Sequence, residues 1–304
     1  MAADVARHLL VRREEISFEP ALPEHSAGLT RALLVGGHTG STHTGLILVE
    51  LEGGYVDSHL HSFESSFYVL EGEPVLDLDG HAVRLKEGAC GAIPVGVVHA
   101  WRSDERSRWI EMFSPRPRGP GEPPDTFFVG PAPETEPVPL DVRDPRNRNL
   151  FLLSPSDMDL DRLKRGASVD EPTVSASMAT AALAYSGITV KMLVDKRLDA
   201  QLQTMFMVGY QPGAVAHPHD HPFEESYVML EGEVDVVADG SRYTLRPGDV
   251  FWTGVGCIHA FYETKGNTVL WLETSAPGPP DRHSYRFDRD WEYLAERLRA
   301  ERAR

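Results

Sequence analysis

The chain contains little cysteine: of its 304 residues, only Cys90 and Cys257 are cysteines. Two cysteines cannot build a disulfide framework, which favours a reducing compartment and predicts a cytoplasmic protein. The first residues contain no apolar stretch of signal-peptide length. No other run approaches the roughly 18 apolar residues that a membrane helix needs, so we expect no membrane partner.

Basic residues are also scarce, with 30 Lys and Arg against 46 Asp and Glu and a net charge of -16. An acidic surface repels phosphate backbones and anionic lipid, which argues against nucleic acid as a partner. The charge indicates little else about partners. A hydrophobic fraction of 41% is enough for packed cores, and the length suggests two domains.

Long apolar runs with helical spacing are rare, whereas short apolar or alternating runs fill two blocks, residues 30–115 and 188–280. Glycine, Asp-Gly and proline separate these runs, which predicts many short strands in an antiparallel sandwich or barrel. The fold class is therefore all-β, with a sandwich or barrel in each block and short peripheral helices.

The segments outside the two blocks differ from them in composition and spacing. Residues 1–29 are predicted to be an N-terminal arm that packs on a domain. Residues 116–187 are predicted to be a linker whose proline-rich first part contains no sheet and whose second part contains one short helix. In residues 281–304, Trp291, Leu294 and Leu298 recur at helical spacing, which predicts an amphipathic helix able to support a homodimer.

The two blocks repeat each other at a fixed offset of 160 residues. His219, His221 and His259 match His59, His61 and His99 at this offset, and glycines and an Asp-Gly pair match between them. Chance does not produce so many matches without a gap, so one domain was duplicated.

The stretch from His217 to Glu225 has the composition of a metal site. Histidines 217, 219 and 221 alternate, so on a strand they share one face, and a carboxylate follows four residues after the last. His259 comes from a later strand-like run. Imidazoles and one carboxylate suit a divalent transition metal, and iron, manganese, nickel, cobalt and zinc all remain open.

These residues resemble the motifs of the cupin superfamily. The form G-x5-H-x-H-x3-E-x6-G is met by Gly213, His219, His221, Glu225 and Gly232. The form G-x5-P-x-G-x2-H is met in full by residues 88–99, and with Gly254 in place of proline by residues 248–259. The resemblance implies a bicupin with a small jelly-roll barrel in each half. It also implies one divalent metal, iron or manganese first, held by His219, His221, Glu225 and His259.

The first half departs from the pattern at one ligand. It retains His59, His61 and His99, but Ser65 stands where Glu225 stands in the second half. Glu64 is adjacent to Ser65, but a shift of one residue turns a strand side chain to the other face. A weaker three-histidine site and a vestigial site both remain open.

The period of two also predicts which residues surround the metal. Tyr227, Cys257 and Phe261 should lie on the same side of the sheet as the ligands and could bind substrate, although ordinary barrel filling is equally compatible. No catalytic residue is predicted. Cys257 could instead be a buried inert thiol, and His217 could support the site from the barrel mouth or be an exposed loop residue.

The resemblance implies a small-molecule substrate as the partner, and three functions follow from it. The first is an oxygenase, because three imidazoles and one carboxylate leave coordination positions open. The second is a manganese-dependent hydrolase, since the architecture is similar to that of the (S)-ureidoglycine aminohydrolase type of bicupin. That type has Gln at a position like His259, so the ligand sets differ. The third is a non-enzymatic binding or storage protein.

Overall fold

The computed structural model describes residues 7–119, 121–158, 186–278, 286–287, 296 and 299–300. Within these residues nearly all regular structure is β-strand, and helical structure is limited to short turns, which confirms the all-β prediction. No helix in the described residues is long and apolar enough to span a membrane. The helix predicted for 281–304 lies outside the described residues except at a few positions, and the homodimer stays a prediction.

The first part of the chain forms twelve strands. They are β1 (His8–Val11), β2 (Glu19–Pro20), β3 (Ser26–Val35), β4 (Gly45–His61), β5 (Glu64–Glu71), β6 (Val75–Leu78), β7 (His81–Arg84), β8 (Ala89–Ile93), β9 (His99–Ser114), β10 (Thr126–Gly130), β11 (Val138–Pro139) and β12 (Leu150–Leu152). Strands β2 to β12 form one eleven-stranded sheet that closes the first barrel around the long β4–β9 pair.

The second part forms ten strands. They are β13 (Ile188–Val194), β14 (Thr204–Tyr210), β15 (Val215–Asp220), β16 (Glu224–Glu231), β17 (Val234–Ala238), β18 (Ser241–Leu245), β19 (Val250–Thr253), β20 (His259–Tyr262), β21 (Val269–Ala276) and β22 (Arg286–Phe287). They lie in two sheets ordered β1-β19-β16-β21-β14-β13 and β18-β17-β20-β15-β22, which form the second barrel. Short 3-10 helices connect strands at Arg13–Glu15, Gly37–Thr39, Pro145–Asn147, Pro155–Met158 and Lys196–Leu198.

Matching hairpins occur at the two Asp-Gly pairs of the repeat. Asp79 and Gly80 join β6 to β7, and Asp239 and Gly240 join β17 to β18, with all four residues at positive φ. Two consecutive positive φ angles match the right-handed twist of the flanking strands, and Asp-Gly is a favoured pair for this turn. The duplicated sequence thus forms the same hairpin twice.

The N-terminal arm contributes to both barrels: β1 joins a sheet of the second barrel, whereas β2 and the start of β3 lie in the sheet of the first. Strand β1 pairs antiparallel with β19, with Leu9 opposite Trp252 and Leu10 opposite Phe251. The next turn is held by an ion pair of 2.7 Å between Arg12 Nη1 and the buried Asp249 Oδ2. The arm therefore ties the two halves of the chain together.

The prediction that the proline-rich segment contains no sheet was wrong. Strands β10, β11 and β12 of this segment pair with β4, β7 and β8 of the first barrel. Only one of these strands contains a proline, Pro139, at the end of a two-residue edge strand where a missing N–H is tolerated. Of the short helix predicted after this segment, only Pro155–Met158 lies in the described residues. The predicted domain boundaries themselves stay predictions.

The two barrels pack face to face through an apolar layer to which both contribute. Leu46, Leu48 and Met112 of the first barrel meet Met205 and Leu272 of the second in one buried cluster. Two equivalent glutamates reinforce the contact. Glu64 accepts backbone N–H groups of Gln201 and Leu202, while Glu224 accepts hydrogen bonds from residues 41–44. Glu64 and Glu224 thus point away from the barrel interiors toward the opposite barrel.

Candidate metal centre

The structure brings together the four ligands predicted for the second barrel. His219 lies near the end of β15, His221 directly follows that strand, and His259 begins β20, where it stands opposite His219. One nitrogen from each of the three rings lies within 4.8 Å of the other two. Glu225 of β16 places its Oε2 atom 3.3 Å from His221 Nε2 and 3.4 Å from His259 Nε2. His221, Glu225 and His259 are buried.

Backbone carbonyls orient two of these histidines. The Nδ1 atom of His219 lies 2.5 Å from the carbonyl oxygen of His217, and that of His259 lies 2.9 Å from the carbonyl oxygen of Cys257. A carbonyl can only accept, so Nδ1 donates in both rings and the lone pair is on Nε2. Metal-ligating histidines commonly donate their second nitrogen in this way. His217 thus contacts the site through its backbone.

The donor set fits a divalent transition metal. Burial is the main cause that lowers the pKa of His219 to about 3 and that of His259 to about 4, and it holds the pKa of His221 well below its usual value. All three imidazoles are therefore neutral at physiological pH, which is the form that binds metal. Glu225 Oε1 is buried, and when Glu273 is ionised no described group donates a hydrogen bond to it, which leaves this oxygen free for a cation.

Two further side chains control the charge of Glu225. Tyr227 donates its hydroxyl to Glu225 Oε2 at 2.6 Å, and the same oxygen of Tyr227 lies 3.1 Å from His259 Nε2. Burial raises the pKa of Glu225 to about 7, against the lowering effect of hydrogen bonds from Tyr227 and Glu273. In the metal-free protein, Glu225 therefore binds a proton at a higher pH than an ordinary glutamate.

Sequence reasoning missed Glu273. It lies on β21 opposite Tyr227 and accepts a hydrogen bond of 2.9 Å from Trp271 Nε1. Burial, with the nearby Glu225 charge, raises the pKa of Glu273 well above its usual value, so its neutral acid form can donate to Glu225. The available signal was one charged residue inside the apolar run of residues 269–276.

A cavity of about 50 Å³ adjoins the site. Tyr227 and Phe261, both predicted to bind substrate, line it, as do His219, His221 and Glu273. Cys257, predicted with them, is not among the residues that line this cavity. Its thiol lies instead beside His8 and Asp239, and burial raises its pKa to about 12. Cys257 is thus a protonated, buried thiol that lies outside the cavity beside the second-barrel histidines.

The first barrel assembles the corresponding three histidines. Nitrogens of His59, His61 and His99 lie within 4.8 Å of one another. The Nδ1 atoms of His59 and His99 contact the carbonyl oxygens of Asp57 and Val97, at 2.6 and 3.1 Å, as in the second barrel. His99 Nε2 is buried without a hydrogen-bond partner in the described part of the chain. These rings therefore also fit a metal, with no protein carboxylate in the place of Glu225.

The first barrel contains its own buried acid, Glu111. It lies opposite Phe67, just as Glu273 lies opposite Tyr227 at the equivalent position of the second barrel. Ser65, which replaces Glu225, donates its hydroxyl to Glu111 Oε1 at 2.8 Å. Burial is the main cause that raises the pKa of Glu111. Each barrel thus retains a buried carboxyl group beside its histidines.

Comparison with known families agrees with this architecture. The family described as the Cupin domain matches residues 47–113 and 206–275, one match in each barrel. Each match contains the two adjacent histidines and the later histidine of its barrel. The chain belongs to the cupin superfamily. Because it carries two such domains in tandem, it is a bicupin. No curated protein sequence matches the chain.

Solved structures resemble the bicupin over most of its length. Oxalate decarboxylase from Lactobacillus farciminis, in complex with formate, is similar with a TM-score of 0.61 and 16% identity over 96% of this chain and 93% of that chain. Oxalate decarboxylase from Bacillus subtilis gives a TM-score of 0.60 and 14% identity, covering 91% and 78%. A variant of salicylate 1,2-dioxygenase from Pseudoaminobacter salicylatoxidans gives 0.58 and 16%, covering 78% and 71%. At this identity the likeness concerns the fold.

Proposed function

We propose that this bicupin is a metal-dependent oxygenase whose second barrel acts on a small organic substrate. His219, His221, Glu225 and His259 would hold one divalent iron or manganese ion, which supplies open coordination positions for substrate and dioxygen. The observation that carries the proposal is the convergence of these side chains beside a cavity, with Nε2 of His219 and His259 directed inward by carbonyl groups.

The surroundings of the site support a small substrate. The cavity of about 50 Å³ has room for few atoms beyond a metal-bound ligand. Its walls are apolar except at five side chains, namely His219, His221, Tyr210, Tyr227 and Glu273. Such walls would exclude water around the reacting group. The similar solved proteins are named for reactions of oxalate and salicylate, which are small carboxylates, and this supports the same substrate class here.

A reaction without dioxygen is the second candidate, because Glu273 places a neutral carboxylic acid at the site. A buried acid that hydrogen-bonds Glu225 can hold and return a proton, as a hydrolase or a decarboxylase requires. The aminohydrolase alternative belongs to this class. A binding or storage role would need neither the open metal positions nor the acid.

The test begins with the metal. The full chain is stripped with a chelator, reloaded with Fe(II) or Mn(II), and analysed for metal per chain, alongside the variants His219→Ala and Glu225→Gln. We expect both variants to lose the second-barrel metal. His59→Ala, the matched change in the first barrel, should leave it bound. Retention of that metal by both second-barrel variants would contradict the assigned ligands.

The reaction class is then tested with the loaded protein and a panel that includes salicylate, oxalate and ureidoglycine. The oxygenase proposal expects dioxygen uptake that depends on both substrate and metal and stops under argon. Release of ammonia or carbon dioxide under argon would instead favour the proton-transfer candidate and overturn the oxygenase proposal.

A further inference from the structure

The interior of the first barrel contains an arginine that the second barrel lacks. Arg31 lies on β3 two residues after Leu29, which is part of the apolar cluster inside the first barrel. Its partner across the sheet is Val49, a member of the same cluster. Alternation along the strand therefore turns the Arg31 side chain inward. The residue is half-buried, so solvent and small solutes reach part of its side chain.

Strand register identifies the residue that takes this place in the second barrel. Val49 stands opposite both Arg31 and Trp109, while Val208 stands opposite both Val190 and Trp271. Val190 is thus the equivalent of Arg31. Val190 lines the cavity beside the second-barrel histidines. Arg31 accordingly lies where that cavity would be in the first barrel.

No described carboxylate forms an ion pair with Arg31. Its Nε atom is buried and has no hydrogen-bond partner among the described residues. The charges of Arg31 and Glu111 act on each other's pKa, but Ser65, not Arg31, donates the hydrogen bond to Glu111. A guanidinium inside a barrel without a hydrogen-bonded counter-ion is an unusual arrangement, because desolvated charges are generally paired.

The positive charge of Arg31 acts electrostatically on the three histidines of the first barrel. Burial is the main cause that lowers the pKa values of His59, His61 and His99, and the positive charge of Arg31 lowers all three further. In the second barrel, the corresponding histidines face the acidic Glu225 and the neutral Val190. The second barrel thus has the carboxylate Glu225 where the first has Ser65. The first barrel has the cation Arg31 where the second has Val190.

We propose that the first barrel is a binding site for a small organic carboxylate, which pairs with Arg31 and occupies the place that Glu225 fills in the second barrel. A guanidinium presents parallel N–H groups that match the two oxygens of a carboxylate. The histidines could at the same time hold a metal, but Arg31 does not require one. The site is distinct from the second-barrel centre and does not depend on the reaction there.

The experiment measures carboxylate binding to the full chain in its metal-free form, so that no metal can recruit the anion. Acetate is titrated by ligand-observed NMR, with acetamide as the uncharged probe of nearly the same shape. We expect saturable binding of acetate and none of acetamide. Arg31→Gln should weaken acetate binding by at least about tenfold, as loss of a charge-assisted hydrogen-bonded pair does.

Arg116→Gln is the matched control, because Arg116 is also half-buried and its Nε also has no partner among the described residues, but it follows β9 outside the barrel. It should leave acetate binding unchanged within a factor of about two, since a distant charge is screened. Equal binding of acetate and acetamide, or an unchanged affinity in Arg31→Gln, would overturn the proposal.

Should Arg31→Gln not fold, hydrogen exchange of the parent chain decides. Acetate should slow amide exchange in β3 and β4, which surround Arg31, and should leave β13 and β14 of the second barrel unchanged. Protection limited to β13 and β14, or absent from β3 and β4, would refute the site. Neither outcome decides whether the second barrel binds metal, which is measured separately by metal analysis.

Discussion

One hydroxyl group distinguishes two equivalent positions, Phe67 in the first barrel and Tyr227 in the second. Phe67 lies in the interior cluster of its barrel, whereas the Tyr227 hydroxyl reaches Glu225 at 2.6 Å. The hydroxyl and the carboxylate occur in the same barrel. In the first barrel, Ser65 stands in place of Glu225 and Phe67 stands in place of Tyr227. The second barrel therefore has a tyrosine hydroxyl bonded to a carboxylate that faces two of its histidines, and the first barrel has neither of these two groups.

The first prediction concerns this hydroxyl. Tyr227→Phe removes a donor that lowers the pKa of Glu225, so that pKa should rise above about 7. Protons then compete with metal up to a higher pH, and the midpoint pH of metal uptake should increase by about one unit. Cobalt(II) absorbance, followed from pH 6 to pH 9, would measure the shift.

Tyr210→Phe is the control, since Tyr210 lines the same cavity without a hydrogen bond to Glu225 in the described structure. Its midpoint should equal that of the parent. A Tyr227→Phe midpoint that stays in place or moves to lower pH would show that the hydroxyl does not stabilise the ionised carboxylate.

At the scale of the element, strand β16 carries two adjacent glutamates whose side chains face opposite sides and serve different functions. Glu225 points into the barrel toward His221 and His259, whereas Glu224 points out and accepts hydrogen bonds from Ser41, Thr42 and their neighbours in the first barrel. Strand β5 repeats the outward contact with Glu64. Successive side chains of a strand face opposite sides, so one strand serves both the site and the barrel interface.

The same substitution at these neighbouring positions should therefore have opposite effects. Glu224→Gln disrupts buried charge-assisted hydrogen bonds and should lower the free energy of unfolding by about 2 kcal/mol, with metal content unchanged. Glu225→Gln should lose the second-barrel metal, while the metal-free protein keeps its stability, because a buried acid with a raised pKa is replaced by a neutral isostere. Urea unfolding and metal analysis on both variants would test this. Loss of metal in Glu224→Gln with normal stability would contradict the assignment of faces.

At the scale of the whole molecule, duplication has doubled the number of buried titratable groups. Six histidines have lowered pKa values in the two centres, namely His59, His61, His99, His219, His221 and His259. Four glutamates have raised values, namely Glu64, Glu111, Glu225 and Glu273. Burial favours the neutral form in both groups, so they respond to pH in opposite directions.

The metal-free protein should lose stability as the pH falls from about 6.5 to about 4.5. In this window the unfolded chain protonates histidines that the folded chain keeps neutral, so acid favours unfolding. The raised glutamates take up protons in the folded state and oppose this, but they are fewer. A net difference of two protons corresponds to about 2.7 kcal/mol per pH unit. Urea midpoints at pH 7 and pH 5 would measure the effect, and an equal or higher midpoint at pH 5 would contradict it.

The sequence by itself determined the duplication, the all-β fold, the four candidate ligands of the second barrel and the substitution of Ser65 in the first. These features depend on spacing within one strand or on motifs repeated at 160 residues, and both can be read locally. The alternation of side chains along a strand also predicts that Glu64, adjacent to Ser65, faces away from the histidines.

Only the tertiary structure decided the place of the arm, the linker strands, Cys257 and the buried charges. Glu111 and Glu273 occupy equivalent positions 162 residues apart, so alignment of the two halves at the fixed offset of 160 does not pair them. Arg31 lies in a strand whose role depends on pairing with Val49, eighteen positions later. Whether a charge is inside a barrel depends on which strands pair and in which register. This is set by the packing of distant segments, which local periodicity does not contain.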